Sequence, residues 1–260
     1  MKIFIKDYLK TLLFFGIIGL LGGYFTGIYL LDSYPEELKR QLINEINAIG
    51  GGQISADIFI GIITAIQSAA YGVVLGAVGI WLSKKTGLWK DEIAITKKPL
   101  TASVAVAVIG GLSMILLDVL LFGRFSDAIM ASYAEKPTIV YILASITYAA
   151  VIEEVMLRLF TMSLVAFILC KIFDKKTGMH TDKILIISNV IAALLFAIGH
   201  LPATAEILGL TPMIIFRCFL LNGGIGLTFG WLYRKYGLRY AMIAHGGCHI
   251  VSKLIWILFI

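Results

Sequence analysis

Seven apolar runs, joined by short polar connections, leave this chain few ways to fold. A helix needs about 20 apolar residues to cross the hydrocarbon core of a bilayer. With no water at that depth to satisfy peptide groups, only helices and closed barrels can span it. The runs cover Thr11 to Leu31, Ile58 to Leu82, Thr101 to Phe122, Thr138 to Cys170, a fifth from Lys183 to Pro202, Met213 to Tyr233, and Tyr240 to Ile260. The expected fold is all-α, a polytopic transmembrane helical bundle of about seven spans, or eight if a re-entrant or half-helix occupies 201–212. No connection can house a separate soluble domain, so residues 1–260 read as one integral membrane domain, with 138–260 as its chemical core. Composition agrees, since only 15% of residues are charged, against roughly 25% in soluble proteins.

The net charge of +6 is distributed as membrane topology demands rather than as nucleic-acid binding does. Lys84, Lys85, Lys90, Lys97 and Lys98 follow the second run, Lys171, Lys175, Lys176 and Lys183 flank the fourth connection, and Arg234, Lys235 and Arg239 precede the last run. The connection from Asp32 to Asp57 is acidic and includes the flexible triplet Gly50-Gly51-Gly52. Placing the basic connections in the cytoplasm puts the N-terminus there too. The partner implied is the lipid bilayer, not nucleic acid. The first ten residues resemble a signal-peptide n-region, but no small-residue cleavage site follows, so the first run reads as a retained span. Three cysteines, Cys170, Cys218 and Cys248, imply no disulfide framework.

Local signals refine the spans. Gly19, Gly23 and Gly27 at four-residue spacing permit close helix packing. Thr211-Pro212 reads as an N-cap followed by proline at the first helical position. Pro202 should end or bend the fifth helix. Asp118, near the end of the third run, reads as an interfacial acid.

Ionisable residues at membrane depth are costly and point to function. The run Tyr148-Ala-Ala-Val-Ile-Glu153-Glu154-Val-Met-Leu-Arg158-Leu-Phe160 holds two adjacent carboxylates and an arginine. On a helix Glu154 and Arg158, four apart with the acid first, share a face and form a favourable ion pair. Glu153 is rotated about 100° away and has no such partner, which leaves it available as a general base or acid. Three of the four histidines, His200, His245 and His249, also lie in or at the ends of spans. His245 and His249 are four apart on one face, a spacing that lets two imidazoles address one metal or one substrate atom. Gly246 and Gly247 between them weaken the helix by about 1 kcal/mol each relative to alanine, a cost that close approach of another backbone would explain. His180, in a basic connection, reads as irrelevant to the site. Cys248 reads as a small hydrophobe rather than a nucleophile. The glycines at 223, 224, 226 and 230 read as a packing stripe.

Taken in order, Glu153-Glu154-x-x-x-Arg158, Phe196-x-x-x-His200 and His245 with a polar residue four later resemble the CPBP family of intramembrane proteases, which includes CAAX prenyl endopeptidases and bacterial Abi proteins. The segment from Gly226 to His245 also resembles the family's approach to its last motif, and the likeness runs from Tyr148 to Ile250. The resemblance implies an intramembrane endopeptidase in which Glu153 and His200 activate water, while His245 and the residue at 249 stabilise the oxyanion. Glu154 and Arg158 support them. The family is described both as glutamate-dependent and as metal-dependent, so the cofactor is either none or a divalent metal such as zinc, held by Glu153, His200, His245 and His249. The chain departs from the family pattern in having His249 where asparagine or aspartate is usual. The implied substrate is a membrane-associated peptide or protein, and the implied location is a bacterial cell membrane. Oligomeric state stays open.

Two other readings use the same residues: a proton-coupled transporter with a Glu/His relay, and an inert peptide-binding immunity protein. One geometric difficulty faces the protease reading. At 1.5 Å per residue, His245 lies about 9 Å into its span and His200 about 25 Å from Lys183. Straight, flush helices would not bring them together, so a fifth helix that begins outside the bilayer or a re-entrant bend around Pro202 is expected.

Overall fold

The computed structural model describes residues 2–50, 54–90, 94–174 and 181–260; His180, Lys175, Lys176, Gly51 and Gly52 lie outside them. The described residues form helices and no strands. The helices are α1 (Lys2–Ser33), α2 (Glu36–Gly50), α3 (Ala56–Lys85), α4 (Lys97–Leu120), α5 (Asp127–Ser132), α6 (Ile139–Phe173), α7 (Thr181–Leu208), α8 (Pro212–Tyr236) and α9 (Leu238–Phe259). Among the described residues seven of them, all but α2 and α5, are long and apolar enough to cross a membrane. The chain is an integral membrane protein.

Between helices in lipid there is little hydrophobic drive, so close van der Waals packing holds the bundle together. The glycine stripe of α1 shows this: a Cβ on Gly19 would sit 2.7 Å from Ala69 Cα of α3. At the other end of the chain, Gly111 of α4 meets the backbone of Cys248 on α9, and a Cβ on Gly247 would sit 2.5 Å from Ala107 Cβ. The two glycines between His245 and His249 therefore serve the close approach expected of them. Helix α6 runs through the centre. Its Ile152, Val155, Leu159 and Met162 are fully buried, and Leu159 packs on Gly79 of α3 while Ser163 hydrogen-bonds the Tyr233 hydroxyl of α8 at 2.9 Å.

Thr211 caps α8 as its sequence predicts, its hydroxyl accepting from Ile214 N at 3.2 Å with Pro212 in the first turn. The basic connections after α3 and after α8 meet at one end of the bundle, where Lys90, Lys235 and Arg239 line a shared cleft with Trp89 and Tyr236. They lie on one side, as the charge distribution requires.

Three expectations need correction. The acidic connection contains α2, which buries Ile46 against Leu31 and Ala56. Its 15 residues are too few to cross a bilayer, so a search for long apolar runs passes over it. Asp118 is not interfacial but 2% exposed. Arg217 of α8 forks onto its carboxylate and the Tyr133 hydroxyl donates to it at 2.8 Å; partners 99 and 15 residues away are invisible to local spacing. Nor does a re-entrant segment or half-helix occupy 201–212. Helix α7 continues past Pro202 to Leu208 and ends where Gly209 adopts φ +71°, a left-handed conformation that glycine takes without steric cost. Proline removes one backbone donor, and a transmembrane helix tolerates that loss when neighbouring groups satisfy the freed carbonyl.

Candidate active site

The site is built on a distorted stretch of α6. From Ser145 to Glu153 and again from Val155 to Met162 the backbone is π-helical, with i→i+5 bonds that widen each turn, a geometry often found at functional sites. The two glutamates lie at the junction. Because the turn is wider than an α-turn, the rotation assumed for Glu153 changes, and both acids reach α9.

Glu154 is fully buried and Arg158 is 1% exposed. Arg158 Nη1 approaches Glu154 Oε1 at 3.0 Å as an ion pair, without the alignment of a hydrogen bond, and Nη2 donates to Gly226 O of α8 at 3.0 Å. The guanidinium is sandwiched between Phe196 and Phe229, 4.7 and 5.4 Å from the ring centroids. Removing one member of such a buried pair strands the other charge, at a cost of about 3–5 kcal/mol. The ion pair read from spacing is present, and its second function lies across the bundle: Glu154 Oε1 accepts from His245 Nδ1 at 2.9 Å.

That contact decides the tautomer of neutral His245. A carboxylate oxygen only accepts, so Nδ1 carries the proton and neutral His245 offers a lone pair at Nε2. Nε2 lies 3.9 Å from Glu153 Oε2. The imidazole is 4% exposed, stacked on Phe229 at 4.5 Å and edge-on to Phe196 at 5.9 Å. Glu153 is different, its side chain remaining 17% exposed while Glu154 shows none. The two adjacent acids are thus divided as the sequence predicts, one sealed beneath an arginine and one open to the site.

His200 sits on α7 one turn beyond Phe196. Its Nδ1 lies 2.9 Å from Phe196 O; a carbonyl cannot donate, so Nδ1–H does and Nε2 is left as an acceptor. His249 stacks on His245 with centroids 5.2 Å apart and lies within electrostatic range of His200. All four proposed site residues therefore gather around one group of side chains. Helices α7 and α8 are tied by Asp182 to Arg234 at 3.6 Å and by Asn189 Nδ2 to Leu227 O at 2.9 Å. Among the described residues His200 makes no hydrogen bond or ion pair with Glu153; the carboxylate's near neighbour is His245.

Sequence reasoning overlooked Phe229, which stacks on His245, and Lys253, a buried lysine one turn beyond His249. The lysine had a signal, since it is a cation inside the last apolar run. Phe229 had none, one phenylalanine among 15.

A divalent metal would draw on the lone pairs of His200 and His245 and on Glu153. Both histidines have the backing usual for ligands, the far nitrogen held by a carbonyl or a carboxylate. The positions do not fit, however: among the described residues no three His, Cys, Asp or Glu side chains are grouped closely enough to hold an ion. The chemistry below is derived without one.

Residues 135–251 match the family model of the Rce1-like type II CAAX prenyl endopeptidases. The match begins just before α6 and ends within α9, so it contains Glu153, Glu154, Arg158, His200, His245 and His249, stops short of Lys253, and leaves out the first three spans. It bears out the resemblance read from the motifs. No curated protein and no solved structure matches the chain.

Proposed function

We propose that the chain is a membrane-embedded endopeptidase that hydrolyses a peptide bond of a membrane-associated peptide or protein, with Glu153 as general base. The observation that carries this reading is the open Glu153 carboxylate facing His245 Nε2, while the sealed Glu154–Arg158 pair holds the opposite nitrogen. A water received by Glu153 and by the free Nε2 of His200 gives a proton to the carboxylate as its oxygen attacks the scissile carbonyl carbon. The tetrahedral intermediate carries the negative charge on the former carbonyl oxygen. A donor from His249 stabilises that oxyanion. The C–N bond then breaks as the proton passes from Glu153, directly or through His245, to the leaving amine. Buried Glu154 steadies His245 when it carries charge, as a buried acid steadies the histidine of a hydrolytic triad.

The N-terminus lies in the cytoplasm in this reading, as the basic connections indicate, and the host membrane is bacterial. The test is direct. Purified protein in liposomes should cleave a membrane-associated peptide, and Glu153→Ala or His200→Ala should abolish cleavage while the helical fold persists. Unchanged turnover in both variants overturns the proposal.

A further inference from the structure

Lys253 lies on α9 one turn beyond His249, is 3% exposed, and places Nζ 3.3 Å from His249 Nδ1. Among the described residues no carboxylate is within ion-pair distance of it. Its other neighbour is the ring of Tyr141 on α6, whose centroid is 3.9 Å from Nζ, the position a cation takes over an aromatic face. A buried lysine with no counter-charge is costly, and folding alone gives no reason for one at this place: an apolar side chain of the same length would fill the space.

As an ammonium over the Tyr141 ring, Lys253 has three donors and no acceptor. Nδ1 of His249 must then accept from it, and the single proton of the neutral imidazole is forced onto Nε2, the ring edge turned away from the lysine. We infer that Lys253 is a positioning residue that locks His249 in its Nε2–H tautomer, so that a neutral imidazole presents a donor to the site. This rests on the reading of His249 as the oxyanion donor. It also answers a chemical question that the departure from asparagine or aspartate raises. A side-chain amide always carries donor hydrogens, whereas a histidine donates from a given nitrogen only in the right tautomer. The site then has histidines of two opposite kinds: His200 and His245 carry their protons on Nδ1 and accept at Nε2, and His249 does the reverse.

The test uses full-length protein labelled with 15N at histidine, in detergent micelles, with the His249 signals assigned by their loss in His249→Asn. Wild type should show His249 protonated at Nε2, and Lys253→Met should move a large share of it to Nδ1–H. Methionine fills the lysine stem, and replacing a buried charge by an apolar group of similar size is often neutral or stabilising, so the unfolding midpoint should hold or rise. Turnover of the peptide should nonetheless fall about 10- to 100-fold, the usual loss when the partner orienting a functional histidine is removed, and should do so in kcat with KM little changed. A wild-type His249 protonated at Nδ1, or a tautomer ratio that Lys253→Met leaves unmoved, overturns the inference. Should wild type cleave nothing while the tautomer still follows Lys253, the lock stands and the proposed function is what fails.

Discussion

Glu154 and His245, 91 residues apart in the chain, share a 2.9 Å hydrogen bond in a place where both are buried. One oxygen of that carboxylate serves both the histidine and Arg158, so the tautomer of His245 and the burial of the arginine depend on the same atom. The two glutamates should therefore respond differently to the same substitution.

Glu153→Gln keeps size and polarity and removes the base. Peptide cleavage should fall by about 10²–10⁴-fold, the range a positioned general base contributes. Because the side chain is partly exposed and its neighbour His245, 3.9 Å away, keeps its hydrogen bond to Glu154, the thermal midpoint in detergent should stay near that of wild type.

Glu154→Gln should lose both activity and stability. The amide leaves Arg158 buried without its counter-charge, a loss of about 3–5 kcal/mol by comparison with other broken buried pairs. Thermal unfolding and turnover measured on the same preparation give the check. A variant that is inactive yet as stable as wild type would contradict the shared role of this carboxylate.

Asp118→Asn separates structural from chemical acids. Asp118 is held by Arg217 and Tyr133 and, among the described residues, makes no hydrogen bond or ion pair with Glu153, His200, His245 or His249, so the variant should unfold at lower temperature while the folded fraction keeps its kcat. Burial beside the Asp118 carboxylate raises the Tyr133 phenol well above its ordinary range, which keeps that hydroxyl a donor throughout the accessible pH range.

Gly247→Val probes the seam between α4 and α9. The first added carbon already meets Ala107, and overpacking of this kind typically costs 1–3 kcal/mol. The expected result is a lower unfolding midpoint together with reduced turnover, because the displaced α9 carries His245 and His249.

The seven spans, the cap at Thr211, the close-packing glycines and the pairing of Glu154, not Glu153, with Arg158 were all legible in order along the chain. Each depends on local chemistry: apolar length against bilayer thickness, hydroxyl against orphan backbone N–H, and helical spacing between charges. The π-helical turns of α6 were not legible, because the choice between i→i+4 and i→i+5 bonds is made by packing against α1, α3 and α9 rather than by residue type. The same limit hid the burial of Asp118, whose partner arrives on α8. Local residue type also argued against the continuation of α7 through Pro202 to Leu208.

For the site itself, the sequence determined which groups are present, two acids, an arginine, three histidines and a lysine, all placed where lipid makes them expensive. Tertiary structure decided the partner of His245, which arrives on another helix, whereas the partners of His200 and His249, Phe196 and Lys253, lie four residues away on their own helices. A tautomer depends on the atom within about 3 Å of the ring, and for His245 that atom comes from a helix 91 residues earlier. Sequence spacing counts residues along one helix, while the proton on His245 depends on a contact between two.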